Sequence, residues 1–218
     1  DFLTEVRDHY GLDARTLAGD EEARLTFLGA TSESDPADDR SILVIDVGGG
    51  STELIVGVHG EVSFAVSTQL GVVRQTERHI RSDPPEPEEL QDLAEDVRDV
   101  LAAEVPARVR ESAAEAIAVA GTATSVAAIE LGLEPYDPTR VHGHRVPAGV
   151  LEEQLARLAD MDLEERREVP GLHPDRAPTI VAGVIVLREV LRIFGLEDFI
   201  ASEHDILRGA ALDAAAAE

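Results

Sequence analysis

Three consecutive glycines, Gly48, Gly49 and Gly50, interrupt an apolar stretch in the segment LVIDVGGGSTELIVG. Glycine weakens a strand interior because it packs no side chain and loses the most conformational entropy on folding. Three in a row therefore indicate a loop whose backbone something must approach closely. Successive N–H groups without side chains form a concave anion site, and Ser51 and Thr52 can add hydroxyl donors. The segment predicts a phosphate-binding loop.

The alternative is a tight hairpin in which the glycines serve turn geometry alone. That interpretation leaves the two flanking acids and two hydroxyls unexplained. Asp46 ends the preceding strand, where its carboxylate can hold Mg²⁺ directly or through water. The loop is not a P-loop, because no Lys follows it and the chain continues as a strand.

A second glycine turn lies in AVAGTATSVAAIE, where a strand ends at Ala120 and Gly121 opens a helix. The N-terminus of a helix binds anions. Ordinary capping by Thr122 or Thr124 explains the same residues equally well. The predicted first turn comprises Thr122, Ala123, Thr124 and Ser125.

A pair of acids, Glu21 and Glu22, stands in the first turn of a helix predicted in GDEEARLTFLGA, with Asp20 as its N-cap. The helix dipole favours acids there, so capping alone could explain them. Their position upstream of a polar linker and the glycine loop suggests a catalytic role as well. A carboxylate that reaches across a cleft could orient or deprotonate an attacking water.

Together these segments resemble the exopolyphosphatase / guanosine pentaphosphate phosphohydrolase (Ppx/GppA) family. The motifs GDEEARLTFLGAT, LVIDVGGGSTELIVG, LGVVRQTERH, AVAGTATSVAAIE and DILRGAAL follow one another in the expected order over nearly the whole chain. The glycine loop is shared with the wider actin, sugar kinase and heat-shock ATPase superfamily. The combination of GGGSTEL with an upstream EEAR is more specific to this family.

The resemblance implies a role for individual residues. Glu22 corresponds to the catalytic base, Asp46 to the acid associated with Mg²⁺, and Glu53 to an acid near metal and water. The loop from Gly48 to Thr52 corresponds to the second phosphate loop.

Two further correspondences lie later in the chain. The turn from Gly121 to Ser125 matches a motif with which kinases of the superfamily hold adenosine. Arg208 in ILRG matches the arginine of the closing helix and is a candidate phosphate ligand.

The resemblance also implies a first phosphate loop of the form D-x-G-S-N-S, which nothing in this sequence matches. We therefore expect a truncated N-terminal subdomain, with roughly a hundred residues outside this chain. Residues 1–32 would be the tail of the first actin-like subdomain, 33–40 a linker, and 41–218 the second subdomain with the phosphate loop. The expected fold class is α/β, an actin-like (ribonuclease H-like) subdomain with a mixed sheet and flanking helices.

The hydrophobic pattern predicts the elements that hold these residues. Residues 41–47, 52–60 and 61–71 read as an antiparallel meander, and 115–120 and 198–202 as strands parallel to it. A short strand is predicted at 14–17. Helices are predicted at 1–11, 19–30, 72–80, 86–112, 121–133, 147–160, 162–169, 175–194 and 204–216.

Composition limits the function classes. The 218 residues carry a formal net charge of −25, and all 19 basic residues are arginine. Such an acidic chain is not expected to bind nucleic acid or an anionic membrane, so a polyanion site must be built locally. The absence of cysteine excludes disulfides and fits a cytoplasmic location, and no segment resembles a signal peptide or a membrane span.

The favoured function is a Mg²⁺-dependent phosphohydrolase that releases terminal phosphate from inorganic polyphosphate or guanosine pentaphosphate. K⁺ is a second candidate cofactor, and a homodimer a candidate assembly. One alternative is a non-catalytic or truncated regulator that binds guanosine penta- or tetraphosphate or polyphosphate; another is a sugar-kinase-like ATP phosphotransferase. His142 and His144 have a spacing that could suit a metal, but no third ligand is evident and a polar loop is the preferred interpretation.

Overall fold

The structure is a computed structural model that describes residues 2–12, 14–35 and 37–216. The strands are β1 (Ile42–Val47), β2 (Thr52–Val58), β3 (Glu61–Thr68), β4 (Glu115–Val119), β5 (Arg145–Pro147) and β6 (Asp198–Ala201). The helices are α1 (Phe2–Tyr10), α2 (Gly19–Ala30), α3 (Val72–His79), α4 (Pro87–Glu104), α5 (Ala107–Arg110), α6 (Ala120–Glu130), α7 (Pro138–Val141), α8 (Ala148–Ala159), α9 (Leu163–Arg167), α10 (Ile180–Phe194) and α11 (Ile206–Ala216).

All six strands form one mixed sheet in the order β3-β2-β1-β4-β6-β5. The first three strands pair antiparallel as a meander, and β4 and then β6 add parallel to β1. This confirms the arrangement predicted from the sequence. The edge strand β5, antiparallel to β6, was not predicted, because it is only three residues long.

The central strand β1 is apolar on both faces, as a strand covered on both sides requires. Ile42 and Val44 point to one face, and Leu43, Ile45 and Val47 to the other. Asp46 is the one polar residue of the strand and follows the alternation to the face of Val44.

Helix α2 covers the face to which Val44 points, and α11 packs against α2. Phe27 of α2 is fully buried there beside Ile55 of β2. The two helices approach through glycines: a Cβ at Gly29 would lie 2.0 Å from the carbonyl oxygen of Asp205, and one at Gly209 would lie 1.8 Å from that of Leu25. Neither position tolerates a side chain, so this helix pair depends on both glycines.

Helices α3, α4, α6, α8 and α10 form the larger apolar core on the opposite face. Helix α10 is buried along most of its length, and Gly195 ends it in the left-handed conformation at φ 66°. Within the described residues, no helix has both the length and the apolar character needed to cross a membrane.

Several local predictions were wrong at element ends. Residues 14–17 are not a strand among the described positions. Asp20 does not cap α2, because the N-cap position is Ala18 and the Asp20 carboxylate accepts a bond from the Glu21 amide instead. The last long helix begins at Ile180 and not at 175, since Pro178 interrupts the segment.

Candidate active site

The predicted site residues gather at one edge of the sheet. Strands β1, β4 and β6 run parallel, and their C-terminal ends lead into the glycine loop, the Gly121 turn and residues 202–205 respectively. In α/β sheets ligands bind beyond the carboxyl ends of the strands. The topology therefore places the three segments where a ligand would lie.

The carbonyl groups of the glycine loop are held by the start of α3. Val72 N–H donates to the Gly48 oxygen at 2.9 Å, and Val73 N–H donates to the Gly49 oxygen at 3.0 Å. The Gly48 amide donates back across the turn to Ser51 at 3.0 Å. The amides of Gly49 and Gly50 donate to no other described residue, so they remain available to an anion.

The fold itself does not require glycine at Gly49 or Gly50, whereas a Cβ at Gly48 would lie a tight 3.3 Å from the Ser51 carbonyl oxygen. None of the three has a positive φ, and a Cβ at Gly50 would meet nothing within 4 Å. A Cβ at Gly49 would make an ordinary contact of 3.5 Å with Val73. The hairpin alternative, in which the glycines serve turn geometry, is therefore unsupported. Gly71 is the constrained position, because its Cβ would lie 2.2 Å from Gly50.

The two hydroxyl residues of the loop differ. Ser51 is half-buried, whereas Thr52 is fully buried on the core face. The Thr52 hydroxyl donates to the Leu70 carbonyl at 2.9 Å, so its proton is already used in the fold. The predicted contribution of a Thr52 hydroxyl to phosphate binding finds no support in this arrangement.

Asp46 and Glu53 form a cross-strand pair at the loop end of β1 and β2. Directly paired residues of antiparallel strands project to the same face, here the face covered by α2. Ser67 of β3 donates to the Glu53 carboxylate at 2.7 Å and holds it in place. The predicted metal-associated acids therefore lie side by side.

Burial, followed by the charges of Glu53, Asp205 and Glu22, raises the pKa of Asp46 to about 6. Three carboxylates thus act on Asp46 at this edge, and a hard cation with oxygen ligands would relieve the repulsion. The donor set fits Mg²⁺, with Asp46 and Glu53 as the residues that would hold it.

The two acids at the start of α2 have different surroundings. Glu21 receives two hydrogen bonds from Arg15, at 2.6 and 2.7 Å. Glu22 is exposed, and its charge acts on Asp46. Glu22 is therefore the acid of the pair that lacks the Arg15 contact, and its role as catalytic base stays a prediction of the resemblance.

A small cavity of about 240 Å³ separates the two glycine turns. Gly48, Gly49, Gly121 and Arg176 are among its lining residues. A Cβ at Gly121 would lie 1.2 Å from Nη1 of Arg176, so the guanidinium rests against the start of α6. Within the described ranges this guanidinium has no hydrogen bond or ion pair, and it lines the same cavity as Gly49 of the loop.

A larger cavity of about 840 Å³ adjoins the first and shares Gly121 and Arg176 with it. Tyr136 lies in its wall and donates a short hydrogen bond to Glu203. Burial, and then the bond to Glu203, raises the pKa of Tyr136 to about 12. Thr124 and Ser125 also line this cavity.

The first turn of α6 is not capped as predicted. Its N-cap position is Val119, without a side-chain cap, and Ala120 follows with φ 61°. The Thr122 hydroxyl donates to Val47 at 3.2 Å, and the Thr124 hydroxyl donates to Ala120 at 3.2 Å. Ala123 is fully buried. Any anion at this turn would contact backbone amides and not these hydroxyls.

Arg208 lies apart from the glycine loop. Its Nε donates to the Ser32 hydroxyl at 3.0 Å, and its Nη2 lies 3.6 Å from a carboxylate oxygen of Glu33. It lines neither of the two cavities. Its assignment as a phosphate ligand rests on the resemblance alone.

Three residues of this site were missed in the sequence. Asp205 follows β6, and the rule that strand ends carry functional side chains could have found it. Gly71 is the N-cap position of α3, whereas the sequence pattern assigned it to the end of the third predicted strand. Arg176, in a polar stretch between two prolines, carried no sequence signal.

Comparisons with known proteins agree on one family. A model of the Ppx/GppA phosphatase family matches residues 1–216. Exopolyphosphatase 2 of Mycobacterium tuberculosis is 38% identical over 209 residues, which cover 94% of this chain. The chain spans 65% of the length of that relative.

Solved structures show the same fold. An exopolyphosphatase-like protein superposes with a TM-score of 0.90 at 34% identity, over 99% of this chain and 72% of its own. The Aquifex aeolicus member of the Ppx/GppA family superposes with a TM-score of 0.89 at 27% identity, over 99% of this chain and 69% of its own.

Proposed function

Because the chain belongs to the Ppx/GppA phosphatase family, we propose that it serves in the hydrolysis of phosphoanhydride bonds and releases the terminal phosphate of inorganic polyphosphate. The exopolyphosphatase relatives support polyphosphate as the substrate class. The fold, the glycine loop and the cluster of carboxylates around Asp46 are all compatible with this chemistry.

The observation that carries the proposal is the glycine loop. Gly49 and Gly50 are required neither by backbone conformation nor by packing, yet their amides are free of partners among the described residues. Arg176 and Gly49 line one cavity of about 240 Å³. Backbone amides and a guanidinium converging on a small space suit a phosphoryl group.

Hydrolysis then proceeds by attack of water on the terminal phosphorus. The loop amides and Arg176 hold the phosphoryl oxygens, and Glu22 orients the water and accepts its proton. A new bond forms between the water oxygen and phosphorus, while the bond to the bridging oxygen breaks and the shortened chain departs. Mg²⁺ at Asp46 and Glu53 would supply positive charge to the phosphate oxygens.

Guanosine pentaphosphate is a second candidate substrate. The observation that favours it is the larger cavity, which adjoins Arg176 and has room for a nucleoside beside the aromatic ring of Tyr136. The same space would suit an ATP phosphotransferase, but no base for an acceptor hydroxyl is evident. The rates of phosphate release from polyphosphate, guanosine pentaphosphate and ATP, measured side by side, show which of these is the preferred substrate.

The decisive experiment pairs Arg176→Gln with Arg167→Gln. Arg167 also lines the larger cavity, but it is paired with Glu164 and lies outside the small cavity. Arg176→Gln should weaken tripolyphosphate binding by roughly 10- to 100-fold, the value of a charge-assisted contact. Arg167→Gln should bind as the unmodified protein does. Equal affinity in all three proteins would contradict the proposed phosphate site.

A further inference from the structure

Glu33, His142 and His204 converge from three separate chain segments. Glu33 lies between α2 and β1, His142 follows α7, and His204 lies between β6 and α11. The Nε2 atom of His142 is 3.1 Å from one carboxylate oxygen of Glu33, and Nδ1 of His204 is 3.8 Å from the other. Glu33 and His204 supply the partners that the sequence did not reveal for His142.

We propose that these three residues bind a divalent transition metal of the Zn²⁺ class. One potential ligand atom from each residue lies within 4.8 Å of the others. Tetrahedral Zn²⁺ with bonds of about 2.0–2.1 Å places its ligand atoms about 3.3 Å apart. The separations from His142 to one oxygen of Glu33, 3.1 Å, and from His204 to the other oxygen, 3.8 Å, are already close to that value. Small side-chain movements therefore complete the site.

The ligand chemistry selects the metal. Imidazole nitrogen suits Zn²⁺ and its neighbours in the first transition row, whereas Mg²⁺ prefers oxygen ligands and retains its water. Two histidines with one glutamate make a known three-ligand set for zinc, which leaves a fourth position for water. The cluster of carboxylates around Asp46 offers only oxygen ligands, so the two sites should bind different ions.

Metal binding at His142 needs a proton to move. The Glu203 amide donates to Nδ1 of His142 at 3.1 Å, so the neutral ring carries its proton on Nε2, toward Glu33. The metal would replace that proton at Nε2, and Nδ1 would then be protonated with the Ser202 hydroxyl, 3.5 Å away, as its acceptor. Loss of the hydrogen bond from the Glu203 amide costs about 1 kcal/mol, which is small beside the binding free energy of a transition metal.

The rings of His142 and His204 must also adjust. Their centroids are 4.1 Å apart with an angle of 42° between the planes. Two imidazoles on one tetrahedral ion have centroids about 5 Å apart, so the rings separate by about 1 Å on binding. His204 is only partly buried and Glu33 is exposed, which leaves both side chains room to move.

The bound metal would add a link between segments that the close approach of Gly29 and Asp205 already brings together. Glu33 belongs to the polar stretch between α2 and β1, and His204 directly precedes the turn into α11. The carboxylate of Glu33 also lies near Arg208, with a separation of 3.6 Å. A metal would draw that carboxylate toward the two rings and loosen its contact with Arg208.

The test is a calorimetric titration of Zn²⁺ into the chelator-treated chain at pH 7.5, with excess Mg²⁺ present to occupy oxygen sites. One equivalent should bind with micromolar affinity or better. Glu33→Gln and His204→Gln should each lower that affinity at least 10-fold. His144→Gln is the matched control, because His144 lies two residues from His142 and pairs with a single acid, Glu130.

The alternative is a hydrogen-bonded cluster of ionisable side chains that takes no metal. No binding of Zn²⁺, or binding that Glu33→Gln and His204→Gln leave unchanged, would overturn the proposal. Because Glu33 is exposed, its variant should fold, and a melting temperature measured without metal checks this. The readout is metal affinity, so the result does not depend on the proposed phosphohydrolase activity.

Discussion

Asp46 and Glu53 are direct cross-strand partners in β1 and β2, so two carboxylates project from one face at the end of the central hairpin. Like charges placed directly opposite each other destabilise a sheet. The fold maintains this pair beside Glu22 and Asp205, and burial together with this repulsion raises the pKa of Asp46. Such an arrangement is costly for an empty protein and favourable for one that binds a cation.

This cost can be measured with Asp46→Asn. The pKa of Asp46 is raised from 3.8 to about 6, so the folded state holds the proton more tightly than the unfolded state does. The stability that this group contributes is complete below about pH 4 and is lost as the pH rises through 6. Above pH 6, without metal, Asp46→Asn should be more stable than the unmodified chain, by up to about 3 kcal/mol.

Urea unfolding between pH 4 and 8, with a chelator present, gives these free energies. Added Mg²⁺ should stabilise the unmodified chain and have little effect on Asp46→Asn. If the variant is the less stable protein at pH 7 without metal, the carboxylate repulsion described here is wrong.

Glu22→Gln should reduce phosphate release from polyphosphate by roughly 10²–10⁴-fold and leave polyphosphate binding nearly intact. Glutamine keeps the size of the side chain but cannot accept a proton. Glu21→Gln is the control, since Glu21 shares the helix turn but is bound by Arg15. If Glu21→Gln is inactive and Glu22→Gln is fully active, the assignment of Glu22 as the catalytic base is wrong.

Gly50→Ala and Gly71→Ala should separate binding from folding. A Cβ at Gly50 meets nothing within 4 Å, so this variant should keep its stability within about 0.5 kcal/mol and lose at least tenfold in tripolyphosphate affinity. A Cβ at Gly71 would lie 2.2 Å from Gly50, so that variant should lose about 2 kcal/mol or more. Calorimetric binding and urea unfolding of both variants provide the comparison. Normal phosphate binding by Gly50→Ala would remove the main support for the loop.

Ala120→Gly should stabilise the protein by about 0.5–1 kcal/mol. Ala120 has φ 61°, a conformation that costs any residue with a Cβ and that glycine adopts freely. Ala118→Gly, in the buried part of β4, should destabilise the protein by a similar amount, because glycine packs no side chain and gives the unfolded chain more backbone entropy. Thermal unfolding of the two variants should therefore shift in opposite directions, and a shift of both to lower temperature would contradict the strain at Ala120.

The sheet could be predicted because its strands carry their own patterns. The meander and the parallel strands at 115–120 and 198–202 were read from apolar runs bounded by glycine and turn residues, and the structure confirms them. Element ends were harder, because backbone conformation decides them: the left-handed Ala120 replaces the expected threonine cap of α6.

The candidate site was predictable where a residue belongs to a motif. Asp46, Glu53 and the glycine loop were found in this way, and the structure places them together. Arg176 reaches the loop only through the packing of the segment before α10, and Glu33 meets His142 only through the folded sheet. Contacts between residues far apart in sequence leave no local pattern, so these two were missed.

The glycine contact between α2 and α11 also has a consequence for how the chain acquires its structure during synthesis. Gly209 leaves the ribosome about 180 residues after Gly29, the position it must meet. Domains fold from the N-terminus as they emerge, at about 5–20 residues per second, so α2 waits on the order of ten seconds or more for its partner helix. During that interval the nascent chain exposes apolar surface on α2, and Glu22 and Asp205 are not yet neighbours. The group of acids around Asp46 is therefore complete only after the segment that carries Asp205 has been synthesised.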